Sequence, residues 1–125
     1  MRWQGKCLEK PVSKSIRDFN ELFALDLDRY ASLEAQAAAI ADDIAYDTHD
    51  IDDGLRAGLL NFDELRTLPL IGDIIREIEQ SHPSLDDHRK VAELGRRQIT
   101  RMVEDVIQET ARKLANAKPE SSADI

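Results

Sequence analysis

Apolar positions recur along most of this chain with the 3.6-residue period of a helix, and no stretch shows the strict alternation of a strand. From Ser15 to about Leu27, Ile16, Phe19, Leu22 and Phe23 keep that spacing, with Phe19 and Phe23 an i, i+4 aromatic pair. The spacing predicts a short helix there. The segment 31–60, ASLEAQAAAIADDIAYDTHDIDDGLRAGLL, reads as a long helix starting near Ser32, which is placed to cap it, with Glu34 close to the positive helix end. Its apolar side gathers Ala37, Ile40, Ala41, Ile44, Ile51 and Leu55, and Gly54 and Gly58 are expected to bend or thin it without necessarily ending it.

Asn61, three positions before Glu64, gives a capping-box-like start to a short helix reaching about Leu68, closed by Pro69. Leu70, Ile71, Ile74, Ile75 and Ile78 predict the next helix. It stops at Ser81-His82-Pro83, because proline disfavours helix at the residue before it. Ser84 is the expected cap of a last long helix with Asp86 and Asp87 in its first turn. Its seam is Val91, Leu94, Ile99, Met102, Val103, Val106, Thr110 and Leu114. The pattern as a whole predicts an all-α fold, a small helical bundle built around two long helices at about 31–60 and 84–117. Residues 1–13 form a loose N-terminal arm anchored by Trp3 in this reading, 14–117 a single domain, and 118–125 a polar tail.

Composition narrows the class. A chain of 125 residues fits one domain, small enough for self-association to bury further apolar surface. With 34% charged and 42% hydrophobic residues, five Gly and four Pro, a collagen-like or disordered chain is excluded. The net charge of -8 argues against a nucleic-acid partner, since phosphate neutralisation needs clustered Lys and Arg. Cys7 stands alone, which leaves no intramolecular disulfide framework and no thiolate metal site. The start MRWQGKCLEK lacks a signal-peptide core, and no run approaches the roughly 18 to 20 apolar residues of a membrane span. No membrane and a cytoplasmic location are therefore the expectations.

Opposite the apolar side of the segment 31–60, Asp42, Tyr46, His49, Asp50 and Asp53 stand at i, i+4, i+7, i+8 and i+11, on one helical face. Carboxylates suit hard cations such as Mg²⁺ or Mn²⁺, but one helix supplies only an edge of such a site. A solvated face is the commoner meaning of acids in a row. The aliphatic neighbours Ala38, Ala39, Ala41, Ile44 and Ala45 shift the weight towards chemistry, because a carboxylate crowded by them is costly to bury unpaired. Asp53 and Arg56 are an i, i+3 ion-pair candidate, and His82 and His88 flank the Pro83 turn.

The same stretch, ASLEAQAAAIADDIAYDTHDIDDGLRAGL, resembles a motif of bacterial HD-domain deoxynucleoside triphosphate triphosphohydrolases, the dGTPase-like proteins. QITRMVEDVIQET resembles a following helix of that family, so that the likeness spans about 22–114. The resemblance implies an all-α, oligomeric enzyme that cleaves a dNTP to deoxynucleoside and triphosphate at a divalent metal, Mg or Mn. In the family's D-x-x-x-Y-x-x-x-D pattern the first acid completes the metal site, the tyrosine lies beside sugar and phosphates, and the second acid recognises the sugar hydroxyl. These roles fall on Asp42, Tyr46 and Asp50. Arg89, Arg96 and Arg97 become candidates to meet triphosphate, their other reading being to offset the acidic helix.

The family also uses a His and a His-Asp pair upstream of the motif. No His precedes residue 31 in this sequence, and His49-Asp50 lies inside the downstream motif. The expectation is therefore a C-terminal part of a triphosphohydrolase, truncated and without activity on its own. Its role would be that of a helical oligomerisation or nucleotide-related accessory module, as a homo-oligomer, a dimer being favoured. The alternative is a residual metal-dependent dNTP triphosphohydrolase or nucleotide-binding protein whose site another subunit or partner chain completes.

Overall fold

A computed structural model describes residues 12–27, 30–121 and 124. The arm expected over residues 1–11, with Trp3 and Cys7, lies outside the described residues, as do 122, 123 and 125 of the tail. The described residues form helices α1 (Lys14–Leu22), α2 (Leu33–Arg56), α3 (Phe62–Leu65), α4 (Ile71–Ser81) and α5 (Asp87–Ala117), and no strand. The all-α expectation holds. Among the described residues two compact units are distinguished, one up to Ala37 together with those from Pro119 on, and one of Ala38–Lys118.

In the first unit, Ser13 caps α1 by accepting the Ile16 N–H at 3.4 Å. The Phe19 and Phe23 rings meet at 6.2 Å between centroids, as their spacing requires. The helix stops at Leu22, short of the expected residue 27, because the Asn20 side chain takes the Leu25 N–H at 2.8 Å and draws the chain out of helical register. Ser32 caps the start of α2 as its sequence position predicts, accepting the Ala35 N–H at 3.3 Å.

Within the second unit, α2 ends at Arg56, not near residue 60. Gly58 adopts φ +69°, and the amides of Gly58 and Leu59 close back on the carbonyls of Leu55 and Gly54 at 3.2 and 2.9 Å. This paired closure is a helix terminator that favours glycine, so Gly58 ends the helix. Asn61 then caps α3 through the Glu64 N–H at 2.9 Å, but the helix lasts one turn and stops before Leu68. α5 begins at Asp87, and its cap is Asp86, which accepts the Arg89 N–H at 2.9 Å. Ser84 is not the cap because it lies inside the turn that the Leu85 N–H closes on the His82 carbonyl.

The core centres on α4. Ile74, Ile75 and Ile78 are at most 2% exposed and pack with Leu65, Ile71 and with Leu94 of α5. Each fully buried side chain of this kind contributes about 1.5–3 kcal/mol of transfer free energy. Gly72 is needed where α4 starts, because a Cβ there would overlap the Arg66 carbonyl. The two long helices do pack together, through Thr48 of α2 against Gly95 of α5, where a Cβ on the glycine would lie 3.4 Å from the Thr48 methyl. Ile51 and Leu55 bring the end of α2 onto the α4 core, and the buried Thr48 hydroxyl is satisfied by the Ile44 carbonyl at 2.8 Å.

Past Leu94 the α5 seam loosens. Gln98 is buried where an apolar seam would continue; its amide nitrogen contacts Met102 Sδ at 3.9 Å and its carbonyl oxygen finds no partner among the described residues. Met102, Val106 and Leu114 are half-buried, whereas Ile99 and Val103, both expected in the seam, are exposed, as is Ile107. In α2, Ile44 and Thr48 are buried while Ala37 and Ala41 face water.

Candidate functional site

Asp42, Tyr46 and Asp50 stand where α2 places them, in a row along one face of a continuous helix. At a rise of about 1.5 Å per residue the row is about 12 Å long. All three are exposed, Tyr46 by 68%. None of their side chains takes part in a hydrogen bond or ion pair among the described residues. His49 and Asp53 share the exposed face. Arg56 pairs with Asp52 at 2.6 Å, one residue from the expected Asp53, because i, i+4 spacing suits the long guanidinium arm. That hydrogen bond, with smaller help from His49 and His88, holds the Asp52 carboxyl below its ordinary value.

The described residues do not fit a Mg²⁺ or Mn²⁺ ion by themselves. Such cations take about six oxygen ligands, commonly one or two protein carboxylates with water and substrate phosphate oxygens. Among the described residues no group of three or more His, Cys, Asp or Glu is placed to hold a metal. The two ladder acids lie two helical turns apart, too far to chelate one ion.

Arg89, Arg96 and Arg97 offset acids of their own neighbourhood rather than those of α2. Arg96 forks onto Glu93 at 2.9 and 2.7 Å, and Arg97 reaches the same carboxylate at 2.7 Å. These two guanidiniums hold the Glu93 carboxyl down to about 2. Arg97 also approaches Glu77 of α4 at 3.8 Å, and Arg89 approaches Asp86 at 3.4 Å. Arg89 and Arg96 open onto a common cleft with His82 and His88, and Arg97 does not line it. The two histidines were visible in the sequence only as flanks of the Pro83 turn. What brings them together is the reversal from α4 into α5, which spacing alone does not show.

No protein-family model matches the chain, and no solved structure does. Curated relatives do. A deoxyguanosinetriphosphate triphosphohydrolase-like protein of Brucella anthropi is 59% identical over 114 residues, which are 91% of this chain and 28% of that protein. One of Mesorhizobium japonicum is 56% identical over 118 residues, 94% of this chain and 29% of the relative. One of Rhizobium meliloti is 50% identical over 125 residues, the whole of this chain and 31% of the relative. The chain thus spans under a third of the length of the relatives it matches. On an identity of half or more along nine tenths of its sequence, the chain matches a C-terminal part of deoxyguanosinetriphosphate triphosphohydrolase-like proteins.

Proposed function

We propose that this chain carries one edge of a dNTP triphosphohydrolase site and does not hydrolyse dNTPs on its own. The observation that supports this is the ladder itself: Asp42, Tyr46 and Asp50 lie open on one face of α2, spaced to follow a nucleotide from metal to sugar. In this reading Asp42 offers one oxygen to a Mg²⁺ or Mn²⁺ ion, Tyr46 lies against sugar and phosphates, and Asp50 accepts the sugar hydroxyl. The other ligands come from outside the described helices. The chain then acts as a helical accessory module of nucleotide chemistry. Incubation of the purified chain with each dNTP and Mn²⁺, with released triphosphate separated by ion exchange, should show no turnover. Turnover that disappears in Asp42→Ala would overturn the reading.

The module is proposed to self-associate as a dimer, in the cytoplasm. Ile99, Val103 and Ile107 recur at i, i+4 and i+8 on α5 and are exposed, Ile107 by 61%. A second copy laying its own α5 along this stripe would cover both at once, in the self-complementary manner of a two-fold contact. Sedimentation should show a dimer, shifted to monomer by Val103→Lys with Ile107→Lys. A strict monomer at high concentration would overturn it.

The open ladder favours one further reading, in which a partner chain or second subunit completes the metal site and restores hydrolysis. Triphosphate release on mixing the chain with the remaining part of a relative, lost in Asp42→Ala, would establish that arrangement.

A further inference from the structure

Thr48 lies on α2 between Tyr46 and Asp50 of the ladder, and it is buried where they are exposed. Its hydroxyl donates to the Ile44 carbonyl at 2.8 Å, and its methyl group faces Gly95 of α5. Gln98, on the next turn of α5, is 3% exposed, and its buried carbonyl oxygen has no donor among the described residues. We propose that Thr48 and Gln98 form a hydroxyl switch. The Thr48 hydroxyl passes from the Ile44 carbonyl to the Gln98 carbonyl oxygen, and the exchange alters the curvature of α2 beneath Tyr46. Its bearing on nucleotide chemistry rests on the reading of Asp42, Tyr46 and Asp50 as the edge of a site.

The unpaired oxygen gives the exchange a destination. A buried acceptor without a donor is costly, which is why nearly all such groups in folded proteins are paired. Water does not fill the role here. Among the described residues, Thr48 and Gln98 line one narrow void between α2 and α5, too small to hold a water molecule. The rest of that lining is aliphatic apart from Gly95 and Asp52, and the Asp52 carboxylate is an acceptor already taken by Arg56 at 2.6 Å. The Thr48 hydroxyl is therefore the side-chain donor that this lining offers to the Gln98 oxygen. The amide nitrogen of Gln98 rests on Met102 Sδ at 3.9 Å, a weak acceptor that does little to lock the side chain.

Stereochemistry makes the exchange a small step. Threonine in a helix divides between two χ1 rotamers, because its oxygen can bond a carbonyl one turn back. One staggered step of χ1 carries the Thr48 oxygen to the place its methyl group now holds, on the side of Gly95. The Ile44 carbonyl keeps its backbone partner within α2, so releasing the hydroxyl leaves no orphan there. One hydrogen bond replaces another, and what changes is shape. A hydroxyl bonded back to its i−4 carbonyl tends to bend a helix, and its release lets that turn straighten. The turn from Ile44 to Thr48 carries Tyr46, with Asp42 before it and Asp50 after it. In this way α5 sets the line of the ladder without contributing a residue to it.

The test is relaxation dispersion on the full chain, with neither nucleotide nor metal present, reading the amides of residues 42–50 and the Gln98 side-chain amide. A minor state of about 0.1–10%, exchanging on the μs–ms timescale, is expected at both places with one shared rate. Thr48→Val keeps the shape and removes the hydroxyl, so it should abolish the exchange, and Gln98→Leu should do the same. Thr48→Ser keeps the hydroxyl and should retain it. No exchange in the wild type, exchange that survives Thr48→Val or Gln98→Leu, loss of exchange in Thr48→Ser, or different rates at the two places would overturn the proposal. Because dNTP and Mn²⁺ are absent, failure here and failure of the triphosphohydrolase reading are told apart.

Discussion

The α3–α4 hairpin with the first turns of α5, and the acidic face of α2, lie in the same unit and differ in almost every physical respect. Around Ile78 the chain buries aliphatic side chains to 2% exposure or less, glycine admits a backbone approach at residue 72, and side chains cap α3 and α5. Along Asp42, Tyr46 and Asp50 the same chain leaves three chemically specific residues in water. A face made only for solubility needs no tyrosine between acids at i and i+8. The contrast separates what holds this unit together from what it presents.

That separation is breakable. Ile78→Ala should cost about 2–5 kcal/mol in urea unfolding through the cavity it leaves. Truncation to Ala at Leu59, 81% exposed, should cost less than about 0.5 kcal/mol. Equal losses would erase the distinction between packed and open regions. Gln98→Leu should raise stability by about 1 kcal/mol, because it removes a buried carbonyl oxygen without a partner. A loss would mean that Gln98 is satisfied in solution.

Glu93 supplies the pH arm. Its folded-state value lies at about 2, below the ordinary 4.5, so its ion pairs stabilise fully above about pH 4.5 and fade as pH falls towards 2. Glu93→Gln should lower stability by about 1 kcal/mol at pH 7, in keeping with a partly exposed network, and the gap from wild type should close over that acid window. A gap independent of pH would show that Glu93 acts through packing. Smallest of all, Asp42→Ala and Asp50→Ala should each change stability by less than about 0.5 kcal/mol, as exposed residues without partners do. A larger loss at Asp42 would make the ladder structural.

Much of this was legible because local chemistry dictated it. Ser32 and Asn61 cap the helices they precede, Phe19 meets Phe23, and Ile71, Ile74, Ile75 and Ile78 form the buried stripe of α4. The misplaced boundaries came from competition that sequence does not rank. Ser84 and Asp86 are both good caps, and the turn closing on His82 consumes the first. Gly58 can bend or terminate, and the carbonyls of Gly54 and Leu55 decide for termination. Within the alanine-rich run of α2, Ala37 and Ala41 are exposed while Ile44 and Thr48 are buried, because which positions of an apolar side meet a neighbour depends on the tertiary packing. That Asp42, Tyr46 and Asp50 share one exposed face of α2 was readable from helical spacing. The His82–Arg96 cleft was not, because it depends on the path of the chain through the Pro83 turn.

The central claim is that the ladder is an edge awaiting the rest of its site. Titration of the chain with Mn²⁺, followed by electron paramagnetic resonance of the free ion, tests it most directly. No saturable Mn²⁺ binding that depends on Asp42 is expected, wild type and Asp42→Ala giving the same curve. Saturable binding by wild type that Asp42→Ala removes would contradict it, and would place a complete metal site within this chain.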